Sequence, residues 1–155
     1  DVLGRERSDE EWSDKLVLVR DEGRCELIVV NLANGDMVGH TGILEAAVKA
    51  AECLDSCLGR LEDAVGDAGG VLLVTADHGN CERMLDTDNG HPHTAHTMNV
   101  VPVVIANAPD GVEGLRDGRL SDVAPTVLSL LGLPQPNEMT GQTLIEPAAS
   151  DAAVQ

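Results

Sequence analysis

Three runs of the chain are predominantly apolar: "CELIVVNL" (25–32), "VLLVTA" (71–76) and "VVPVVIA" (100–106). Aliphatic runs of that length, bounded by turn residues, predict strands buried on both faces. Between the first two, residues 42–66 carry Ala47, Ala51, Leu54, Leu58, Leu61 and Val65 at intervals of three and four. That spacing predicts a long amphipathic helix with those residues on its inner face. Gly69-Gly70 ends it. Strand, helix and strand in this order predict a right-handed βαβ unit in which 25–32 and 71–76 run parallel.

The flanks are less regular. Ser8-Asp9-Glu10-Glu11 has the form of a capping box, and Trp12, Leu16 and Val19 mark a helix ending near Gly23. Residues 33–41 and 79–98 show no convincing period and predict loops. A Gly-rich acidic loop after residue 106 leads into "LSDVAPTVLSLLGL" (120–133). There a short helix is expected, capped by Ser121 or Asp122, with Pro125 in a first turn that needs no amide. The tail "EPAASDAAVQ" predicts a frayed end. No repeat, low-complexity block or dividing linker interrupts the sequence.

Composition narrows the class. The chain has 155 residues, 43% of them hydrophobic, with one Trp and no Tyr or Phe. A core of Val, Leu, Ile and Ala suits buried strands flanked by Ala-rich helices, an α/β architecture. Ten basic residues against 27 acidic ones give a net charge of −17, which repels a phosphate backbone and argues against nucleic acid as a partner. No apolar run approaches the ~20 residues that span a bilayer, so no membrane partner is expected. No signal peptide opens the chain, and a cytoplasmic location is expected. The four cysteines are not spaced as a disulfide framework and are read as small buried thiols of a reducing compartment. The first residue is Asp1 rather than Met, which suggests a piece of a longer protein.

The chemistry is concentrated. Of five histidines, His78, His91, His93 and His96 fall within Val74–Thr97, and His40 sits in "NLANGDMVGHTG". Asp36 follows the first predicted strand and Asp77-His78 follow the second, which puts them at a carboxyl edge, where open α/β sheets bind ligands. His96 precedes the third run. For it to reach the same edge, that strand must run antiparallel, and the absence of a crossover helix between residues 77 and 100 allows this. Carboxylates with neutral imidazoles suit Mn²⁺, Zn²⁺ or Fe²⁺ better than Mg²⁺ or Ca²⁺. Two such ions ~3.5–4 Å apart grip phosphoryl oxygens, and metals rather than Lys or Arg would then neutralise a phosphate. Plainer readings stand beside these. Asp36 with Gly35 reads as a turn, His40 as a cap for the following helix, and Asp77-His78-Gly79-Asn80 as a βα turn. His91 and His93 read as solvent-facing loop residues.

"NLANGDMVGHTG", "VTADHGNCERM" and "PHTAHTMNVVPVVI", in this order, resemble the 2,3-bisphosphoglycerate-independent phosphoglycerate mutases of the alkaline phosphatase superfamily. The resemblance runs from about residue 9 to Pro147, and "LSDVAPTVLSLLGLPQPNEMTGQTLI" resembles the family's closing helix and strand. It implies a three-layer α/β/α fold with a mixed, mostly parallel sheet containing one antiparallel strand. Two divalent metals are implied, Mn²⁺ first, with Zn²⁺, Fe²⁺ or Co²⁺ as alternatives. Asp36, His40 and His96 match the ligands of one metal, and Asp77 and His78 match ligands of the other. His96 is preferred to His93 because the family histidine is followed by Thr and, five residues later, by Pro, here Thr97 and Pro102. Cys81 stands where the family carries small residues and is not expected to bind metal.

The implied reaction interconverts 3-phosphoglycerate and 2-phosphoglycerate, a step of glycolysis and gluconeogenesis, through a phosphoserine. The family's nucleophilic Ser, a further carboxylate ligand and the inserted substrate domain have no counterpart in these residues. The expectation is therefore an incomplete domain. Residues 1–147 would be the carboxy-terminal segment of the metal-binding domain and 148–155 a disordered tail, a chain that supplies ligands and is inactive alone. Its partners would be a phosphoglycerate and the remainder of the same protein. The alternatives are another phosphoryl-transfer enzyme of the superfamily, a phosphopentomutase or phosphodiesterase, or a non-catalytic metal-binding module.

Overall fold

The structure is a computed structural model that describes Asp14 and residues 25–147. The expected capping box, amino-terminal helix and the tail beyond Pro147 lie outside the described residues. The chain forms two compact units, Asp1–Asn107 and Ala108–Gln155.

In the first unit, α1 (Asn34–Gly39) and α2 (Leu44–Asp67) precede β1 (Leu72–Thr75) and β2 (Val103–Ala106). The α1 segment corrects the loop expected over 33–41. Six residues with two glycines do not hold a helix by propensity. Packing does: Val38 is 1% exposed, and the position a Cβ would take on Gly35 lies 3.2 Å from the Leu54 side chain of α2. The long helix forms as expected, but its inner face is turned. Ala47, Ala50, Cys57, Leu61 and Ala64 are buried, while Ala51 is exposed. Small residues take the innermost positions, so Leu54, Leu58 and Val65 are only half-buried. Gly69, at φ 68°, closes α2 in a Schellman motif, with its own amide on Gly66 and that of Gly70 on Val65, both at 2.9 Å.

The first predicted strand does not form. Residues 25–32 have no helix or strand, and Val29 is 83% exposed. A strand exists only in a ladder, and among the described residues nothing pairs with this run, so the expected parallel βαβ unit is absent there. The other two runs do pair, and antiparallel, from Leu72↔Ala106 to Thr75↔Val103. The reversal of the third run is thus observed. It places the segment after Thr75 and the segment before Val103 at one end of the ladder, where the Thr75 hydroxyl also donates to the Pro102 carbonyl at 2.9 Å.

In the second unit, β3 (Val112–Leu115) and β4 (Ile145–Pro147) pair antiparallel with a register shift between Val112 and Gly114. A 3-10 turn (Leu120–Asp122) leads into α3 (Val123–Leu130). β3 lies in what reads as an acidic loop, and β4 takes in Glu146 and Pro147 of the expected frayed tail. Asp122 does not cap α3 with its side chain. Its carboxylate accepts instead from the amides of Gln142 at 2.8 Å and Arg119 at 2.9 Å. Thr126, fully buried, donates to the Asp122 carbonyl at 2.7 Å and accepts from the Leu144 amide at 2.8 Å. Every strand pair among the described residues is antiparallel. No described helix is long and apolar enough to cross a membrane. Of the cysteines expected to be buried thiols, only Cys57 is buried; Cys53 and Cys81 are half-buried and Cys25 is exposed.

Candidate metal centre

Asp36 lies in the middle of α1, and His40 follows it by one turn, so both side chains leave the same face. His96 arrives on the loop that feeds β2. The three meet. Asp36 Oδ1 lies 3.1 Å from His96 Nε2 and 3.2 Å from His40 Nε2, and the two nitrogens are 3.0 Å apart. They form the one group of three such ligands among the described residues that could hold an ion.

This triangle has the dimensions of a coordination face. Ligands ~2.1 Å from one cation lie ~3.0 Å apart at right angles and ~3.4 Å apart at the tetrahedral angle. Its tautomers suit the same purpose. His40 Nδ1 lies 2.7 Å from the Thr94 carbonyl, which can only accept, so Nδ1 carries the hydrogen and, in the neutral ring, Nε2 presents a lone pair. Two lone pairs and a carboxylate oxygen so close repel one another unless a proton or a cation sits among them. Burial pushes the Asp36 carboxyl up, but the Asn80 amide and the imidazoles of His40, His96 and His78 outweigh it. The group is held below the ordinary carboxylate value. It is an ionised acceptor, and the residues present fit a divalent cation.

Asp77 and His78 leave β1 at its carboxyl end, two and three residues beyond Thr75. The His78 ring stacks on His96, with centroids 3.6 Å apart and planes 16° from parallel. Its Nδ1 is buried with no hydrogen-bond partner, and its Nε2 is 3.5 Å from Asp77 Oδ1. The Asp77 side chain is 84% exposed and stands apart from the triangle. His78 is therefore brought to the group by stacking, while Asp77 borders it.

The remaining histidines are placed differently. His91 is exposed, as expected. His93 is half-buried rather than solvent-facing; its amide donates to the Met84 carbonyl at 3.0 Å and its Nδ1 is buried without a partner. His40 ends α1 and does not cap α2. The Cys81 thiol donates to the Gly35 carbonyl at 3.0 Å. Burial, then the charges of Glu82 and Asp36, push its pKa up, which favours the protonated thiol.

Several residues that hold the site escaped sequence reasoning. Asn80 donates to Asp36 Oδ1 at 2.6 Å and to the Asp36 carbonyl at 3.2 Å. Glu82 accepts from the Asn80 amide at 2.6 Å, from Asn99 Nδ2 at 2.9 Å and from the Thr97 hydroxyl. Thr97 donates its own amide to Gly79 at 2.8 Å, extending the β1–β2 pairing toward the site. The available signal was local: polar Asn80 and Glu82 shortly after Asp77-His78, in a segment with no period of its own.

A family model described as the Metalloenzyme superfamily matches residues 2–135. The chain belongs to that superfamily. Among curated relatives it is 59% identical over 143 residues to the 2,3-bisphosphoglycerate-independent phosphoglycerate mutase of Roseobacter denitrificans, covering 92% of this chain. It is 56% identical over 146 residues to the protein of that name from Gluconobacter oxydans, covering 94% of this chain. The chain spans about 28% of the length of each. A structure of Leishmania mexicana phosphoglycerate mutase at low cobalt concentration matches with a TM-score of 0.81 and 34% identity, over 90% of this chain and 28% of that one. These likenesses fit an alkaline-phosphatase-like α/β fold, of which the described residues form a part. The superfamily and the Asp36, His40 and His96 group together point to divalent metal binding.

Proposed function

We propose that Asp36, His40 and His96 hold one divalent metal ion, and that Asp77 and His78 contribute ligands to a second. We also propose that the whole protein interconverts 3-phosphoglycerate and 2-phosphoglycerate. Residues 1–147 then serve as a segment of its metal-binding domain. The observation that carries this reading is the triangle of Asp36 Oδ1, His40 Nε2 and His96 Nε2 at separations of 3.0–3.2 Å. A bound divalent ion supplies Lewis-acid charge against phosphoryl oxygens. In a chain of net charge −17, that charge replaces what basic side chains would otherwise give.

The chain's own residues supply position. Thr94 fixes the His40 tautomer, Asn80 orients the Asp36 carboxylate, and the His78–His96 stack leaves the ring nitrogens at the edges. The carboxylate and two neutral imidazoles favour Mn²⁺, Zn²⁺, Fe²⁺ or Co²⁺, with Mn²⁺ the first choice. The substrate-binding groups and the nucleophile belong to the remainder of the protein, and the setting is cytoplasmic glycolysis. Another phosphoryl-transfer activity of the superfamily is the second reading. The identity of 54–59% to relatives named as phosphoglycerate mutases favours the first.

Assaying the whole protein with 3-phosphoglycerate and with pentose phosphates tests the choice. Turnover of 3-phosphoglycerate is expected, with D36N and H96A each losing metal and at least about 100-fold in rate, given that even residues behind the ligands cost 10–100-fold. Turnover of pentose phosphates alone, or full metal content in both variants, contradicts the proposal.

A further inference from the structure

Asn80, Cys81 and Glu82 are consecutive, and each holds a different residue or pair of residues. Asn80 grips Asp36, Cys81 reaches the Gly35 carbonyl, and Glu82 turns the other way, to Thr97 and Asn99. The loop that carries Asp77 and His78 is thereby tied to α1 by two residues and to the His96 loop by the third. Glu82 uses both carboxylate oxygens, Oε2 for the Asn80 amide and Oε1 for the Thr97 hydroxyl and the Asn99 amide group. All three partners are donors. A carboxylate satisfies them; a carboxamide would turn an N–H₂ toward at least one of them.

We propose that Glu82 is a positioning residue of the metal centre: bound to Thr97 and Asn99 on one side and Asn80 on the other, it fixes the separation of the His78 and His96 loops. The inference rests on the ligand assignment made above and extends it to a residue that touches no ion. Asp36 and His40 share one helix, so their spacing is set locally. His96 comes from 56 residues beyond His40 and needs a clasp of its own. The backbone bridge from Thr97 to Gly79 fixes only the main chain. The direction of the His96 side chain depends on the residue beside it, and Glu82 holds that residue by its hydroxyl.

Co²⁺ titration of the whole protein, followed by its visible ligand-field bands, tests this when paired with thermal unfolding in a chelator. E82Q is expected to bind Co²⁺ about 10–100-fold more weakly, with shifted bands and an unchanged unfolding midpoint for the metal-free protein. E82D, which keeps both oxygens on a shorter stem, should regain part of the affinity. T97V, which removes one donor and keeps the backbone bridge, should shift the affinity in the same direction by a smaller factor, and it decides the matter should E82Q not fold. Wild-type affinity and bands in E82Q overturn the proposal, as does a metal-free midpoint that falls as far as the metal-loaded one. D36N separates the two readings. If it keeps its full Co²⁺ content the ligand assignment fails; if it loses Co²⁺ while E82Q behaves as wild type, only the role of Glu82 fails.

Discussion

At the scale of residues, the site depends on groups that are not ligands. His40 is useful because a carbonyl behind it takes the hydrogen from one side of the ring. Asp36 stays ionised because Asn80 and three imidazoles offset its burial. Gly39 belongs to the same set. A Cβ there would stand 2.7 Å from the Asn80 amide carbon and 3.0 Å from the Cys81 sulfur. Both neighbours are already fixed by their own hydrogen bonds and cannot retreat cheaply. G39A is therefore expected to cost about 1–3 kcal/mol of stability and to weaken metal binding, because Asn80 must release Asp36 to make room. Chemical unfolding beside a metal titration checks both effects; a stable variant with undiminished affinity contradicts the account. The candidate ligands were legible in the sequence, because Asp and His cluster beside the predicted strand ends. Asn80 and Glu82 were not, because their roles lie in distances that spacing does not encode.

Among elements, what could be read and what could not divide by where each one gets its stability. The long helix was legible because its period is intrinsic, although burial of Ala50 and Cys57 shows that a stripe of alanines leaves the exact face open. The antiparallel return of β2 was legible because nothing between Asp77 and Val100 could build a crossover. Residues 25–32 misled because an aliphatic run is necessary for a buried strand and not sufficient without a partner. α1 and β3 were hidden for the opposite reason: "NGDMVG" and "VEGL" have weak propensities and are held by neighbours. Asp122 in the second unit organises such a region. The amides of Gln142 and Arg119 hold its carboxyl below the ordinary value. A depressed carboxyl adds stability that is fully present above the unfolded pKa of ~3.9 and is lost as pH falls through the lower folded value. D122N should thus be less stable than wild type at neutral pH, and the gap should close under strong acid. Urea midpoints across pH measure it; a gap independent of pH contradicts the assignment.

For the whole molecule, the chain carries one clear triangle of candidate ligands and, beside it, His78 and Asp77 without a third partner among the described residues. It also leaves Leu27, Ile28, Val29, Val30, Met98 and Val100 exposed. Both features agree with a chain that spans about 28% of its relatives' length. The central claim remains local: α1 and the loop before β2 deliver Asp36, His40 and His96 to a single cation. Anomalous diffraction from crystals of the whole protein grown with Mn²⁺ or Co²⁺ tests it most directly. The account predicts a peak ~2.0–2.2 Å from Asp36 Oδ1, His40 Nε2 and His96 Nε2 together; density elsewhere, with these three atoms left uncoordinated, would contradict it.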